Sequence, residues 1–181
     1  MAEERLDCIL CGERAVRLFL DLGKSALANA FVAETNLAEA EKRQPLRVGF
    51  CGVCSHVQLL DLVPPTEIFS NYLYVSSTSD TLVAHLTGLA KTVVERCMLD
   101  ADDLIIDVGC NDGTLLSGFI GAGQRNLLGV DPAVNLAPHV RVKGAQVISG
   151  FFGLDTIDEV LSHHGQAAVI SMTNTFPHIP D

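Results

Sequence analysis

Four cysteines at paired spacing could do chemistry together. Cys8 and Cys11 form one Cys-x-x-Cys pair, and Cys51 and Cys54 form a second. Such spacing lets two thiolates from one tight turn converge on a single ion. Each turn carries a glycine, Gly12 after the first pair and Gly52 inside the second, which permits the backbone angles a tight turn needs. Two such knuckles complete a tetrahedral thiolate shell that is closed to water and therefore structural; a catalytic zinc keeps one position open. The alternatives are reduced core cysteines, a redox pair, or His56 replacing one thiolate. Paired spacing twice in a chain with no export signal favours metal over disulfides, so Cys8, Cys11, Cys51 and Cys54 are expected to hold structural Zn2+.

The second constellation is the segment LIIDVGCNDGTLLSGF, residues 104–119. A buried strand would deliver Asp107 to its carboxyl end, and Gly109 and Gly113 would turn the chain sharply into a helix. In doubly wound sheets, ligands bind beyond the carboxyl ends of the strands. Asp131 ends the next strand in LLGVDP, at the distance where an acid commonly holds ribose hydroxyls. A dinucleotide fingerprint needs a middle glycine so that backbone can approach a pyrophosphate. Asn111 stands there instead, with Asp112 beside it adding negative charge. Those residues suit a cationic sulfonium nucleoside, S-adenosylmethionine, better than NAD. The plain alternative is a glycine turn in an α/β domain that binds nothing. Cys110 lies inside the same loop, and Asn174, after the fourth strand of the series, is placed to line the same cleft.

These groups need elements to position them, and composition bounds what those can be. The chain has 181 residues, 48% hydrophobic and 19% charged, enough apolar material for a packed core. No run of about 18 apolar residues is present, so no membrane-spanning helix is expected. The N-terminus is acidic and unlike a signal peptide, and the expected location is cytoplasmic. A formal net charge of −10 with scattered Lys and Arg excludes nucleic acid as an expected partner, because such a chain repels phosphate backbones.

The chain divides at about residue 80. Before it, residues 15–20, 45–50 and 55–60 read as strands, and the proline pair 64–65 can open a short helix. Ser79 or Asp80 can cap a long helix, whose apolar stripe runs from Leu82 to Cys97 at helical spacing; Cys97 is expected in the core and His85 just off the stripe. Strands are then predicted at 104–108, 127–130, 146–149 and 167–171, with helices at 114–120, 135–143 and 154–163. In the last helix, Leu154, Ile157, Val160 and Leu161 form the expected buried side. Strand–helix alternation of this kind indicates a parallel sheet. The expected organisation is therefore a small β-rich zinc module over 1–79 and a partial Rossmann-like α/β domain over 80–181.

Taken in order, the segments CILCG, LGKSALANAFV, CGVCSHVQL, NYLYVSSTSDTLVAHL, DVGCNDGTLL, LGVDPAVNLA, GFFG and NTFPHIPD resemble the S-adenosylmethionine-dependent C-methyltransferases that act on nucleotide-linked keto-sugars. The resemblance runs from Cys8 to Asp181. It implies a class I methyltransferase sheet preceded by a zinc-binding module, and a reaction in which a base removes the proton beside a ketone and the resulting enolate carbon takes the methyl group. It also implies substrate-facing roles for Tyr72 or Tyr74, and a place near the active centre for His178. Packing is the alternative for the tyrosines, and a backbone-bonded loop position for the histidine.

Members of that family continue beyond the residue matching Asp181, with the remaining strands and a Tyr-His-Glu-His segment that the resemblance associates with the catalytic base. Nothing in residues 1–181 matches that segment, so the isolated chain is expected to show little methyl transfer. The fourth strand is expected to leave an apolar sheet edge open to self-association. Two other readings compete: a zinc and Rossmann-like interaction protein that binds cofactor without turnover, and an NAD-dependent sugar oxidoreductase.

Overall fold

In the computed structural model, residues 3–4, 6–32, 34–38 and 41–179 are described; Pro180 and Asp181 of the NTFPHIPD segment lie outside them. The chain falls into two compact units, Met1–Ile68 and Phe69–Asp181.

The first unit is built from short antiparallel strands. β1 (Glu3–Glu4) pairs with β5 (Asp61–Leu62). β2 (Val16–Ala26), β3 (Arg43–Cys51) and β4 (Val57–Leu59) form a three-stranded sheet in that order. β2 runs well past the predicted Leu20. Its register against β3 shifts between Asp21 and Lys24, where Gly23 takes a positive φ of 73° and donates its N–H to Asp21 Oδ1 at 2.8 Å. That bulge lets the strand resume instead of ending. The buried cluster of this unit is Cys8, Val16, Cys51 and Leu60. Arg47 and the buried Asp61 form a two-point ion pair beside it, with N···O distances of 2.9 and 2.7 Å. The helix α1 (Pro65–Phe69) opens at the proline pair.

The second unit begins with a strap of mostly irregular chain containing a 3-10 turn at Ser76–Thr78. α2 (Asp80–Cys97) follows, and Ser79 caps it by accepting the N–H of Leu82 at 3.3 Å. Cys97 is the last helical residue and is exposed, contrary to its expected place in the core. Met98 adopts left-handed angles, φ 51° and ψ 48°, which turns the chain so that Leu99 packs on the core where Cys97 was expected.

Strand–helix alternation then produces a four-stranded parallel sheet in the order β8-β7-β6-β9. Its strands are β6 (Ile105–Val108), β7 (Leu127–Val130), β8 (Gln146–Ile148) and β9 (Val169–Ser171). The helices between them are α3 (Thr114–Gly121), α4 (Ala137–Val142) and α5 (Leu154–His163). β6 and β7 are buried on both faces, which is why their sequences are apolar apart from Asp107. Successive residues of a strand point to opposite faces. Accordingly Ile105 and Leu127 pack with α2, α3 and α4, while Ile106, Val108, Leu128 and Val130 pack with Val160 of α5. Gly118 lets α3 approach α2 closely; a Cβ there would lie 3.1 Å from the Ala90 Cβ.

α5 corrects one expectation. Its buried residues are Thr156 and Val160, while Leu154 and Leu161 are exposed. The Thr156 hydroxyl donates to the Phe151 carbonyl at 2.6 Å, which satisfies a polar group in the buried position and rotates the predicted leucine side outward. Among the described residues, no helix is long and apolar enough to cross a membrane.

Candidate functional site

In the first unit, the knuckle at Cys8 turns through Gly12, φ 75°, whose N–H donates to the Cys8 carbonyl at 2.8 Å. The knuckle at Cys51 ends β3 and turns through Ser55, whose N–H donates to the Cys51 carbonyl at 3.0 Å. Gln58 joins the two turns. Its side chain accepts the Ile9 N–H and donates to the Asp7 carbonyl, both at 3.0 Å. Sequence reasoning missed Gln58, although it lies inside the second knuckle's motif.

The result is a cluster of four thiols within 4.8 Å of one another. Cys8 and Cys54 sulfurs are 3.5 Å apart, and those of Cys11 and Cys51 3.8 Å. A tetrahedral zinc–thiolate shell with bonds of about 2.3 Å separates its sulfurs by about 3.8 Å, whereas a disulfide needs about 2 Å. The four side chains therefore fit a zinc ion. Burial works to raise the Cys8 thiol, but backbone N–H groups of Cys11 and Leu10 and the neighbouring thiols bring it down to about 7. At Cys11 the Glu13 backbone lowers the value, while burial and the thiols of Cys54, Cys8 and Cys51 together raise it to about 12. Closely spaced thiols cannot all ionise without a cation, and a bound metal removes that conflict. His56 lies outside this cluster; its backbone carbonyl accepts the Cys51 N–H at 2.8 Å.

In the second unit, the candidate site lies at the carboxyl ends of β6, β7 and β9. The order β8-β7-β6-β9 reverses direction at β6, and such reversal points are where open α/β sheets bind ligands. The loop after β6 has positive φ at Gly109 (71°), Asn111 (53°) and Gly113 (77°). At Gly109 a Cβ would meet the Thr175 hydroxyl oxygen at 2.1 Å, so only glycine lets the turn pass this close to the loop after β9. Gly113 starts α3.

Asp107, Asn111 and Asp131 converge. Asp131 accepts the Asn111 N–H on Oδ2 and the Ala133 N–H on Oδ1, both at 2.8 Å. An ionised carboxylate has about four acceptor positions, so two remain for ligand hydroxyls. Burial raises the Asp131 carboxyl above its ordinary range, and those two N–H groups oppose the rise. Asp107 is buried beneath and accepts the Ser171 hydroxyl at 2.7 Å. Burial pushes it up to about 7, with the Asp131 charge adding to the rise and Ser171 opposing it.

Asp112 is oriented elsewhere. It accepts Lys143 Nζ at 2.9 Å and the Thr114 hydroxyl at 2.6 Å. Burial alone would raise it, but hydrogen bonds from Thr114, Ser77 and Lys143 hold it below the usual carboxylate range. Its negative charge is thus spent on a lysine 31 residues away. The Cys110 sulfur packs against β7, where a Cβ on Gly129 would come within 2.5 Å of it; burial, Asp131 and Asp107 push the thiol up, which disfavours the reactive thiolate. Asn174 is exposed, with φ 57°, one residue before Thr175.

The three residues given active-centre roles by resemblance share one aromatic line. The Tyr72 ring lies 6.4 Å from Tyr74 and 5.7 Å from Phe69, and Phe69 lies 5.4 Å from the His178 ring. Tyr72 is half-buried, while Tyr74 and His178 are exposed. His178 sits in a 3-10 turn over Phe176–His178 and donates its backbone N–H to Thr175 at 2.9 Å.

The Asp107 environment has a measurable consequence. Its folded-state pKa of about 7 exceeds the ordinary 3.8, so the native chain holds a proton that the unfolded chain has released. Its contribution to stability is complete below the ordinary carboxylate pKa and is lost as pH rises through about 7. Asp107→Asn keeps an acceptor for Ser171 and removes the titration. The difference in unfolding free energy between wild type and this variant should change by up to about 4 kcal/mol between pH 4 and 8. Denaturant titrations across that range check this, and parallel pH profiles would refute it.

Residues 8–69 match a methyltransferase family model described as "Putative zinc binding domain". The chain is also 32% identical, over 175 residues, to the C-methyltransferase NovU of Streptomyces niveus. That alignment covers 97% of this chain and 41% of NovU, so the chain spans about two fifths of the length of the curated relative it matches. The four-thiol cluster lies inside the matched module, and the likeness to the C-methyltransferase continues through the parallel sheet.

Proposed function

We propose that this chain is the zinc-binding and cofactor-binding part of an S-adenosylmethionine-dependent C-methyltransferase acting on a nucleotide-linked keto-sugar in the cytoplasm. The observation that carries the reading is the pair of buried carboxylates at adjacent strand ends, Asp107 and Asp131, beside a glycine turn whose middle position is Asn111. A pyrophosphate would meet negative charge there, whereas a cationic nucleoside is attracted. When bound, S-adenosylmethionine supplies an electrophilic methyl group. Asp131 offers its free acceptor positions to ribose hydroxyls. Asp107, poised near neutrality, becomes a full anion when a cation approaches, because an opposite charge favours the ionised form. Gly109, Asn111 and Gly113 shape the turn, Lys143 holds Asp112 in support of it, and Asn174 borders it.

His178, Tyr72 and Tyr74 are the groups proposed to hold or move the substrate proton. A positioned base and a hydroxyl donor beside the developing oxyanion are what enolate formation requires. Zn2+ on Cys8, Cys11, Cys51 and Cys54 serves structure, since four thiolates leave no open position. Strand β9 pairs with β6 on one side, and no strand is hydrogen-bonded to its other side among the described residues. With Ile170 exposed there, this edge supports self-association. Calorimetry with S-adenosylhomocysteine and with NAD tests the reading: saturable binding of the first alone is expected, and preference for NAD would refute it.

A further inference from the structure

Two asparagines outside any helix or strand grip the main chain of the tyrosine-bearing strap. Asn111 Oδ1 accepts the Ser76 N–H at 2.8 Å, and its Nδ2 donates to the Tyr74 carbonyl at 2.9 Å. Asn135 repeats the pattern: its Oδ1 accepts the Tyr72 N–H at 3.1 Å, and its Nδ2 donates to the Tyr72 carbonyl at 2.8 Å. One asparagine follows β6 and the other follows β7. Residues 71–75 make no regular secondary structure, so these four bonds replace the ladder that a strand would have. Because they take backbone atoms, they fix the path of the strap without consuming either tyrosine hydroxyl.

The grip is connected to the carboxylate at the end of β7. Asp131 Oδ2 accepts the backbone N–H of Asn111, the residue whose side chain holds Ser76 and Tyr74. The left-handed φ of 53° at Asn111 is what allows its N–H to serve Asp131 while its side chain serves the strap. Asn135 lies four residues beyond Asp131, between β7 and α4, so both anchors lead back to the same short stretch of chain. Ser77, at the far end of the strap, bonds Asp112 in the same loop as Asn111.

We propose that Asn135, acting with Asn111, is a positioning residue: it holds Tyr72 and Tyr74 in register with the Asp131 loop, so that a nucleoside bound at Asp131 orders both tyrosines. The inference rests on the cofactor reading above. Its physical basis is that a ligand immobilising Asp131 removes freedom from Asn111, and the strap attached to Asn111 loses freedom with it.

The chain carries its own reporter. It has no tryptophan and two tyrosines, and both are on the strap, so all its tyrosine emission comes from Tyr72 and Tyr74. Acrylamide quenching of that emission is measured on the 181-residue chain with and without S-adenosylhomocysteine, with binding followed in parallel by calorimetry. In the wild type, saturation should reduce the quenching constant about twofold, as ligand-induced ordering requires. Asn135→Ala should raise quenching in the free chain and remove the response to ligand, while calorimetric affinity falls only a few-fold. Asn135→Asp keeps the acceptor for the Tyr72 N–H but loses the donor to its carbonyl, so an intermediate response is expected. Asn111→Gly keeps the left-handed turn and should also uncouple the tyrosines.

If Asn135→Ala does not fold, Asn135→Asp carries the same comparison. Wild-type-like quenching in these variants, free and bound, would overturn the positioning role. Binding by the wild type without any change in quenching would overturn the coupling and leave the cofactor reading standing. No binding of S-adenosylhomocysteine would overturn that reading and the coupling together.

Discussion

Chelation of the metal is expected to unfold the Met1–Ile68 unit while the Phe69–Asp181 unit keeps its structure. The buried cluster of the first unit is Cys8, Val16, Cys51 and Leu60, and two of those four are metal ligands. Without an ion, the unit retains very few buried apolar side chains, and small domains with so little core need a staple. Structural zinc contributes about 10–16 kcal/mol of binding free energy, comparable to the whole stability of an ordinary domain, about 5–15 kcal/mol. Cys51→Ser should have nearly the same effect, because it removes one ligand from a fully buried position. Limited proteolysis with and without a strong chelator reads the outcome: new cleavage sites should fall before Ile68. An unchanged digestion pattern after complete metal removal would show that the unit folds without an ion.

The second large effect is at Asp131. Asp131→Asn should weaken S-adenosylhomocysteine binding on the order of 100-fold, equivalent to about 3 kcal/mol, the scale of lost hydrogen bonds to a charged group. Asparagine retains one acceptor for the two backbone N–H groups of Asn111 and Ala133. Asp131→Ala should lose binding further and destabilise the loop as well, because both N–H groups are then left without their acceptor. Calorimetry checks the affinity, and circular dichroism of the same sample separates binding from folding. Unchanged affinity in a folded Asp131→Asn chain would remove this carboxylate from the ligand's surroundings.

Much of this arrangement is legible in the sequence, for identifiable physical reasons. The knuckles are readable because metal chelation imposes a local spacing. β6 and β7 are readable because burial on both faces demands a nearly unbroken apolar run, interrupted in β6 only by Asp107. α2 is readable from its stripe and from the Ser79 cap. What the sequence hides depends on partners distant along the chain. Asp112 reads as a free charge, yet Lys143 neutralises it from the end of α4. Cys97 and Leu161 have the hydrophobic spacing of buried residues, but one left-handed residue and one buried threonine hydroxyl place them outside. Asn111 is readable as a departure from a dinucleotide fingerprint; its hold on Tyr74 and Ser76 is not, because it joins segments more than thirty residues apart. Asn135 falls within the predicted α4, and the helix instead begins at Ala137, which frees its side chain for the strap.

The left-handed turn at Met98 has a practical consequence. By ending α2 where it does, it leaves the Cys97 thiol in solvent. Four of the other five cysteines form the metal cluster, and Cys110 is buried with its thiol protonated. A metal-loaded sample treated with a maleimide dye would therefore carry a single fluorophore at the end of a helix, a built-in attachment point for energy-transfer measurements that needs no engineering of the chain.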